Sequence, residues 1–434
     1  MKITLLLIAI CISTLSFGQQ ANFEWAKAFG SSNFDKGNSI TADASGNVYT
    51  TGLFSGTVDF DPGAGTFNLT SAGGGTDVFI QKLDATGNFI WAKAFGGTST
   101  DQGNSITLDA FGNIYTTGFF SDTVDFDPGA ATFNLTSAGN HDIFIQKLDT
   151  AGNFVWAKAF GSTSNDLGLS ITVDASGNVC ATGLFSGMVD FDPGAGTFNL
   201  TSAGVGDVFI QKLDASGNFL WAKAFGSTFD DRGFSITVDA SGNVYATGYF
   251  QGTVDFDPGA GTFDLTSVGN NDVFIQKLDA AGNFIWAKAL GSANIDNGYS
   301  IAVDTSGNVY ATGYFQGTID FDPGAGTFNL TSAGNYDLFI QKLDTSGSFV
   351  WAKSFGSTFD DRGYSMTLDA SGNVYTTGVF SDTVDFDPGA GTFNLTSAGN
   401  YDVFIQKLDD SGGFLWAKAF GGNDSDNGNS ITVD

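Results

Sequence analysis

The residues best equipped for chemistry in this sequence are aspartates, and they recur on a fixed spacing. Six times the chain carries (V/I)-D-F-D-P-G-A, pairing Asp59 with Asp61, Asp125 with Asp127, Asp190 with Asp192, Asp255 with Asp257, Asp320 with Asp322 and Asp385 with Asp387. All six prolines lie in this motif. Two carboxylates at i and i+2 before a Pro-Gly turn offer the hard oxygen ligands that calcium takes. The third acid and closing glutamate of an EF-hand are absent. The other reading is therefore structural: Val58 and Phe60 face a core, and the aspartates face water and cap a turn.

A second series, Asp35, Asp101, Asp166, Asp231, Asp296, Asp361 and Asp426, stands two residues before a glycine. Its expected task is to fix a turn by a side-chain-to-backbone hydrogen bond. Three residues after each of these aspartates the sequence varies: Asn38, Asn104, Leu169, Phe234, Tyr299, Tyr364 and Asn429. Phe234, Tyr299 and Tyr364 are candidates to stack on sugar rings or on a peptide, although drift at exposed positions explains the same variation.

Catalytic signals are sparse. The single histidine, His141, occupies a variable loop position without a companion nearby in sequence and is expected at the surface. Arg232 and Arg362 stand isolated in equivalent loops. Cys180 replaces a tyrosine found in the other repeats, and is expected to be buried and inert. No serine, cysteine or lysine has an activating base close in sequence, and near-identical repeats offer few groups whose pKa values could be separated. A non-enzymatic protein is the expectation.

The elements that must position these residues follow from the tryptophans. Trp25, Trp91, Trp156, Trp221, Trp286, Trp351 and Trp416 are separated by one step of 66 residues and five of 65, so the chain is a tandem array. In the first complete period, Ser39–Asp43, Asn47–Phe54, Asp77–Leu83 and Asn88–Phe95 read as four strands, A to D. Tight Asx-Gly turns join A to B and C to D. The B–C and D–A connections are long and share one end of the sheet, the end where loops would carry function. Strand C is apolar on both faces, Val78 and Ile80 on one and Phe79 and Leu83 on the other, so each sheet needs cover on both sides. Radial stacking of four-stranded blades supplies it. The predicted fold is an all-β, β-propeller of about 65 residues per repeat; a linear β-solenoid is the alternative. The chain holds six complete blades plus parts of a seventh, its D strand at Asn22–Phe29 and its A strand at Ser430–Asp434. Six closed blades with two spare strands is the other count.

Composition sets the compartment. Lys2, the apolar run Ile3–Ile10 and the small residues Ser16 and Gly18 read as a secretory signal peptide over residues 1–18, with cleavage before Gln19. A lipoprotein reading of Cys11 is opposed by Ile10. Residues 19–434 then form the repeat domain, exported to the medium or cell surface, with no transmembrane segment. Net charge is −29, and becomes −30 when Lys2 leaves with the leader. Such acidity opposes nucleic-acid binding. Glu24 is the only glutamate among 46 acids, a bias toward turns rather than helices. One cysteine in the mature chain excludes a disulfide framework.

The units GNVYxTGxF, DVFIQKLDxxGNFxWAKAFG and DxGxSITVDASGN resemble the SBBP-type β-propeller repeat of exported proteins from Bacteroidetes-like bacteria, over essentially the whole mature chain. The resemblance implies a propeller and export, but no defined activity. Many such proteins carry a C-terminal sorting domain, and none is present here; the chain stops in mid-motif, since every earlier S-I-T-x-D continues into (A/T)(S/F)GN, so the sequence reads as a C-terminally truncated piece. The expected function is a binding or adhesion module whose long loops engage a polysaccharide or a surface protein. A polysaccharide lyase or hydrolase, or a structural spacer, is the alternative.

Overall fold

The computed structural model describes residues 6–7 and 22–433. The expected leader, residues 1–18, lies outside these apart from Leu6–Leu7, a short strand paired with Lys27–Ala28. The described residues are all-β and contain six four-stranded antiparallel blades, the arrangement of a six-bladed β-propeller. The chain divides into two compact units. The first holds Met1–Ser202, Phe209–Ala222 and Thr432–Asp434; the second holds Ala203–Val208 and Lys223–Ile431.

In blade 1, strand A is Lys36–Ala42, B is Val48–Phe54, C is Asp77–Leu83 and D is Phe89–Phe95, hydrogen-bonded in the order A-B-C-D. The tight turns form because an aspartate closes each of them. Asp84 Oδ1 accepts the amides of Thr86 (2.9 Å) and Asn88 (2.8 Å), and Gly87 supplies the positive φ of 77°. Strand B is buried throughout, as a strand covered on both faces must be.

The B–C connection is more ordered than the sequence suggests. Thr57–Asp59 pairs with Asn68–Thr70 as a small hairpin whose loop is the D-P-G turn. Three-residue strands are too short to leave a periodic signal. The hairpin buries Val58 and Phe60, and Phe60 packs on Phe54 and Phe79 at 5.3 and 5.2 Å between ring centroids. Aromatic pairs of this kind contribute about 0.5–1.5 kcal/mol each beyond area burial.

Within each unit the blades interlock through the W-A-K-A-F strand. Phe95 on strand D of blade 1 packs against Phe126 (5.1 Å) and Phe144 (5.4 Å) of blade 2. Trp156 Nε1 and Lys147 Nζ of blade 2 both donate to the Ala215 carbonyl in blade 3, at 3.3 and 3.1 Å. Strand A has an open edge, and the serine of S-I-T covers part of it. Ser39 Oγ accepts from Ile106 N (3.2 Å), Ser235 Oγ from Ile301 N (3.2 Å) and Ser300 Oγ from Met366 N (3.1 Å).

The terminal segments take up blade-like contacts with less strand than expected. Phe29 packs on Phe60 and Phe79 as Phe95 does on its neighbours, yet only Lys27–Ala28 is strand. Ile431 N donates to Ser365 Oγ at 3.2 Å, but residues 427–433 form no ladder.

Candidate ligand-binding site

The variable residues before S-I-T occupy one special backbone position. In every blade the A–B register slips there: Gly37 pairs with Gly52 and Ser39 with Thr51, leaving Asn38 as the extra residue of a β-bulge. Asn104, Leu169, Phe234, Tyr299 and Tyr364 are the bulged residues of the other blades. A bulge removes its side chain from the pleat alternation and re-aims it, which frees this position from core packing. The glycines around it follow from close approach: a Cβ at Gly52 would overlap the Lys36 carbonyl, and one at Gly103 the Thr51 hydroxyl.

The bulge does different things in different blades. Asn38 Nδ2 donates to the Gly103 carbonyl and Asn104 Nδ2 to that of Gly168, both at 2.8 Å, so these two tie neighbouring blades together. In the second unit the bulged residues are aromatic and meet. Phe234 stacks on Tyr299 with centroids 4.6 Å apart and planes 12° from parallel, and Tyr299 meets Tyr364 edge-on at 5.4 Å.

Other positions that vary among the repeats join this cluster. Tyr249 and Tyr314 pack on Phe234 and Tyr299 at 5.7 and 5.6 Å. Tyr249 donates its hydroxyl to Asp230 (2.6 Å), which also takes Arg232 Nε at 2.9 Å. In the matching loop of blade 6, Asp360 takes Arg362 Nη2 at 2.8 Å and the Tyr401 hydroxyl at 3.4 Å. The Arg362 guanidinium lies over Tyr314 and Tyr336, 5.0 and 5.1 Å from their centroids. Asn297 Nδ2 donates to Tyr314 Oη at 2.6 Å. Burial pushes the Tyr249, Tyr314 and Tyr364 hydroxyls above the ordinary phenol range, so they stay protonated donors. Arg232 and Arg362, which look isolated in sequence, are therefore each paired with an aspartate two residues earlier. The cluster thus sets the partly covered rings of Phe234, Tyr299 and Tyr364 on the buried Tyr249 and Tyr314, beside paired donors and acceptors.

The aspartates of the D-F-D-P-G loops are engaged by backbone. Asp59 Oδ1 accepts from Asp61 N (3.0 Å) and from Phe67 N (2.8 Å) across the loop, and Asp61 Oδ1 from Gly63 N (2.8 Å). The pattern repeats from Asp125 and Asp127 to Asp385 and Asp387. Among the described residues no three His, Cys, Asp or Glu side chains are grouped to hold a metal ion.

The series from Asp35 to Asp361 fixes the D–A turn as expected and does more. Asp101 Oδ2 accepts from Gly97 N (2.7 Å) and its Oδ1 from Ser121 N (2.9 Å), so one buried carboxylate ties the D–A turn to the B–C connection. Burial pushes its carboxyl up to about 7, against the pull of these two amides. A third series had no sequence signal, because it opens strand C as an ordinary strand residue. Asp77 and its counterparts are buried; Asp77 Oδ2 accepts from Ala72 N (2.9 Å), and burial raises its carboxyl to about 6.

Two further expectations meet the structure differently. His141 is half-buried rather than free at the surface: its Nδ1 lies 2.7 Å from Ser121 Oγ and its ring 4.5 Å from Phe119. Burial lowers its pKa and keeps it neutral. Cys180 is fully buried as expected, with its thiol pushed up to about 12.

Comparison with known proteins bears on the repeat. The family model for the SBBP β-propeller repeat matches residues 90–118 and 285–314. The chain is 25% identical, over 91% of its length, to an uncharacterized WD repeat-containing protein, L264, of Acanthamoeba polyphaga mimivirus, and covers 34% of that protein. It is 27% identical, over 46% of its length, to the regulatory protein FlaEY of Caulobacter vibrioides, and covers 22% of it. The chain thus spans about a third or less of these relatives. A crystal structure of a protein of unknown function from Bacteroides caccae aligns with 79% of this chain and 90% of its own, at 11% identity and a TM-score of 0.37. Two segments of the chain thus match the SBBP β-propeller repeat directly, and the same strand sequences recur in every blade.

Proposed function

We propose that this protein is an exported, non-enzymatic binding module whose loop-bearing face engages a polysaccharide or a surface protein through the aromatic cluster of blades 4 to 6. One observation carries the reading. Positions that vary in an otherwise near-identical repeat lie about 65 residues apart in sequence, yet Phe234, Tyr249, Tyr299, Tyr314 and Tyr364 share one contact network. Independent drift would scatter substitutions over the blades. The cluster also holds both arginines of a chain with 46 acids, and tyrosine and arginine are the residues that dominate recognition surfaces. The apolar leader pattern over residues 1–18 supports export.

The test is a glycan array followed by reducing-end assay of every glycan that binds. Retention without turnover, lost in Tyr299→Ala, is expected. Release of new reducing ends would replace the binding module by an enzyme, and neither retention nor turnover would leave a spacer.

A further inference from the structure

Blades 4 and 6 carry the same D–A loop, Ser-Thr-Phe-Asp-Asp-Arg-Gly, at residues 227–233 and 357–363, whereas blade 5 between them reads Ser-Ala-Asn-Ile-Asp-Asn-Gly at 292–298. The two copies are built alike. In each, the amide of the phenylalanine is held by the serine two residues earlier, Phe229 N to Ser227 Oγ at 3.0 Å and Phe359 N to Ser357 Oγ at 3.1 Å. Both rings are left 52% exposed. In each, an arginine pairs with its aspartate, Arg232 through Nε on Asp230 and Arg362 through Nη2 on Asp360, with Arg362 also bonded to Tyr364, so each loop sets a guanidinium beside a carboxylate. The row of Phe234, Tyr299 and Tyr364, the first two stacked and the last edge-on, runs between the two loops, because the A strands of blades 4, 5 and 6 are neighbours.

We infer that this face is a two-point site for a repeating neutral glycan, each loop reading one of two chemically alike sugar units, with the aromatic stack beneath the chain that joins them. The inference rests on the binding reading above and adds the ligand class and its periodicity. A donor and an acceptor held side by side match the vicinal hydroxyls of a pyranose, and an exposed phenyl ring matches its C–H face. The Arg–Asp pairs carry no net charge, and the protein around them is strongly acidic, so an acidic polymer would meet repulsion without a compensating cationic patch. One recognition element occurring twice calls for a ligand that also repeats. Linking two such contacts makes the second intramolecular, so affinity depends on chain length.

The experiment is isothermal titration of the whole protein with cello-, xylo-, manno- and laminari-oligosaccharides of two to eight units, with oligogalacturonates as the acidic comparison. Phe229→Ala, Phe359→Ala and the double variant follow; both rings are exposed, and circular dichroism checks the fold. For one neutral series, affinity is expected to rise at least about tenfold from the dimer to a spanning length and then level off. Each single variant should abolish that rise, leaving long chains bound like the dimer, and the double variant should bind none. Binding independent of length, a loss confined to one loop, or a preference for oligogalacturonates would overturn the two-point neutral site while leaving the binding module standing. A wild-type protein that binds none of these sugars would overturn the neutral-glycan site, while the glycan array decides the binding module separately.

Discussion

Replacing Asp101 by alanine deprives two amides of their acceptor in a place water does not reach. Its carboxylate is wholly buried and takes Gly97 N on one oxygen and Ser121 N on the other. A buried donor left without a partner costs about 1–3 kcal/mol, so Asp101→Ala should lower unfolding free energy by about 2–6 kcal/mol. Asp101→Asn keeps one acceptor oxygen and turns an NH2 group toward the other amide, so it should cost about half as much. Asp61→Ala is the contrast, since it removes an exposed turn bond to Gly63 N and should cost no more than about 1 kcal/mol. Urea unfolding followed by tryptophan fluorescence measures all three. An Asp101→Ala protein within about 0.5 kcal/mol of wild type, or an Asn variant as damaged as the Ala one, would refute the assignment of this carboxylate as a two-amide clamp.

Further outcomes follow from the same structure. The carboxyls of Asp77, Asp142, Asp207 and Asp337 are raised by burial to about 6, and those of Asp101 and Asp361 to about 7. A raised folded pKa gives stability that is complete below the unfolded value and lost as pH rises through about 6 to 7. The turn acids Asp43, Asp109 and Asp239 are lowered by side-chain and backbone hydrogen bonds against the opposing pull of burial, so their contribution is lost only as pH falls below the ordinary carboxylate range. Thermal melts should therefore peak near pH 4–5 and decline toward pH 8. In blade 3, Cys180 stands where other blades place a tyrosine that bonds the matching aspartate and meets a tryptophan edge-on, and Lys212 meets that aspartate, Asp174, at 3.0 Å. Cys180→Tyr should restore those contacts and add about 1 kcal/mol in urea unfolding, whereas the native thiol should resist a thiol reagent until the protein unfolds. With backbone amides already on the D-F-D-P-G carboxylates, millimolar calcium should leave the melting midpoint at its value in chelator; a calcium-specific rise would make these loops metal sites.

Much of the fold was legible because it is written six times. The alternation in D-V-F-I-Q-K-L and the Asx-Gly turns place strands B, C and D to within a residue. The B–C hairpin was hidden by strands of only three residues. The bulge was hidden for a different reason: slippage in register is a property of two strands, and Gly-x-Ser on one of them does not reveal it. The glycine opposite, Gly52 and its equivalents, was the available signal. Phe234, Tyr299 and Tyr364 were visible as variable aromatics, but their mutual stacking depends on three strands 65 residues apart. The Arg–Asp pairs lie within three residues of sequence and could have been found by reading D-D-R as a self-paired turn.

The cluster, and not the blade cores, is proposed to meet the ligand, and the eleven tyrosines divide cleanly for testing this. Tyr249, Tyr299, Tyr314, Tyr336, Tyr364 and Tyr401 belong to the cluster. Tyr49, Tyr115, Tyr245, Tyr310 and Tyr375 bond turn aspartates beside the W-A-K-A-F strands. The measurement is 19F NMR of the 3-fluorotyrosine-labelled protein, assigned by single Tyr→Phe variants, during titration with the neutral oligosaccharides. Shifts confined to resonances of the first six are predicted. Saturable shifts among the other five, or six cluster resonances unmoved by every sugar, would contradict the account.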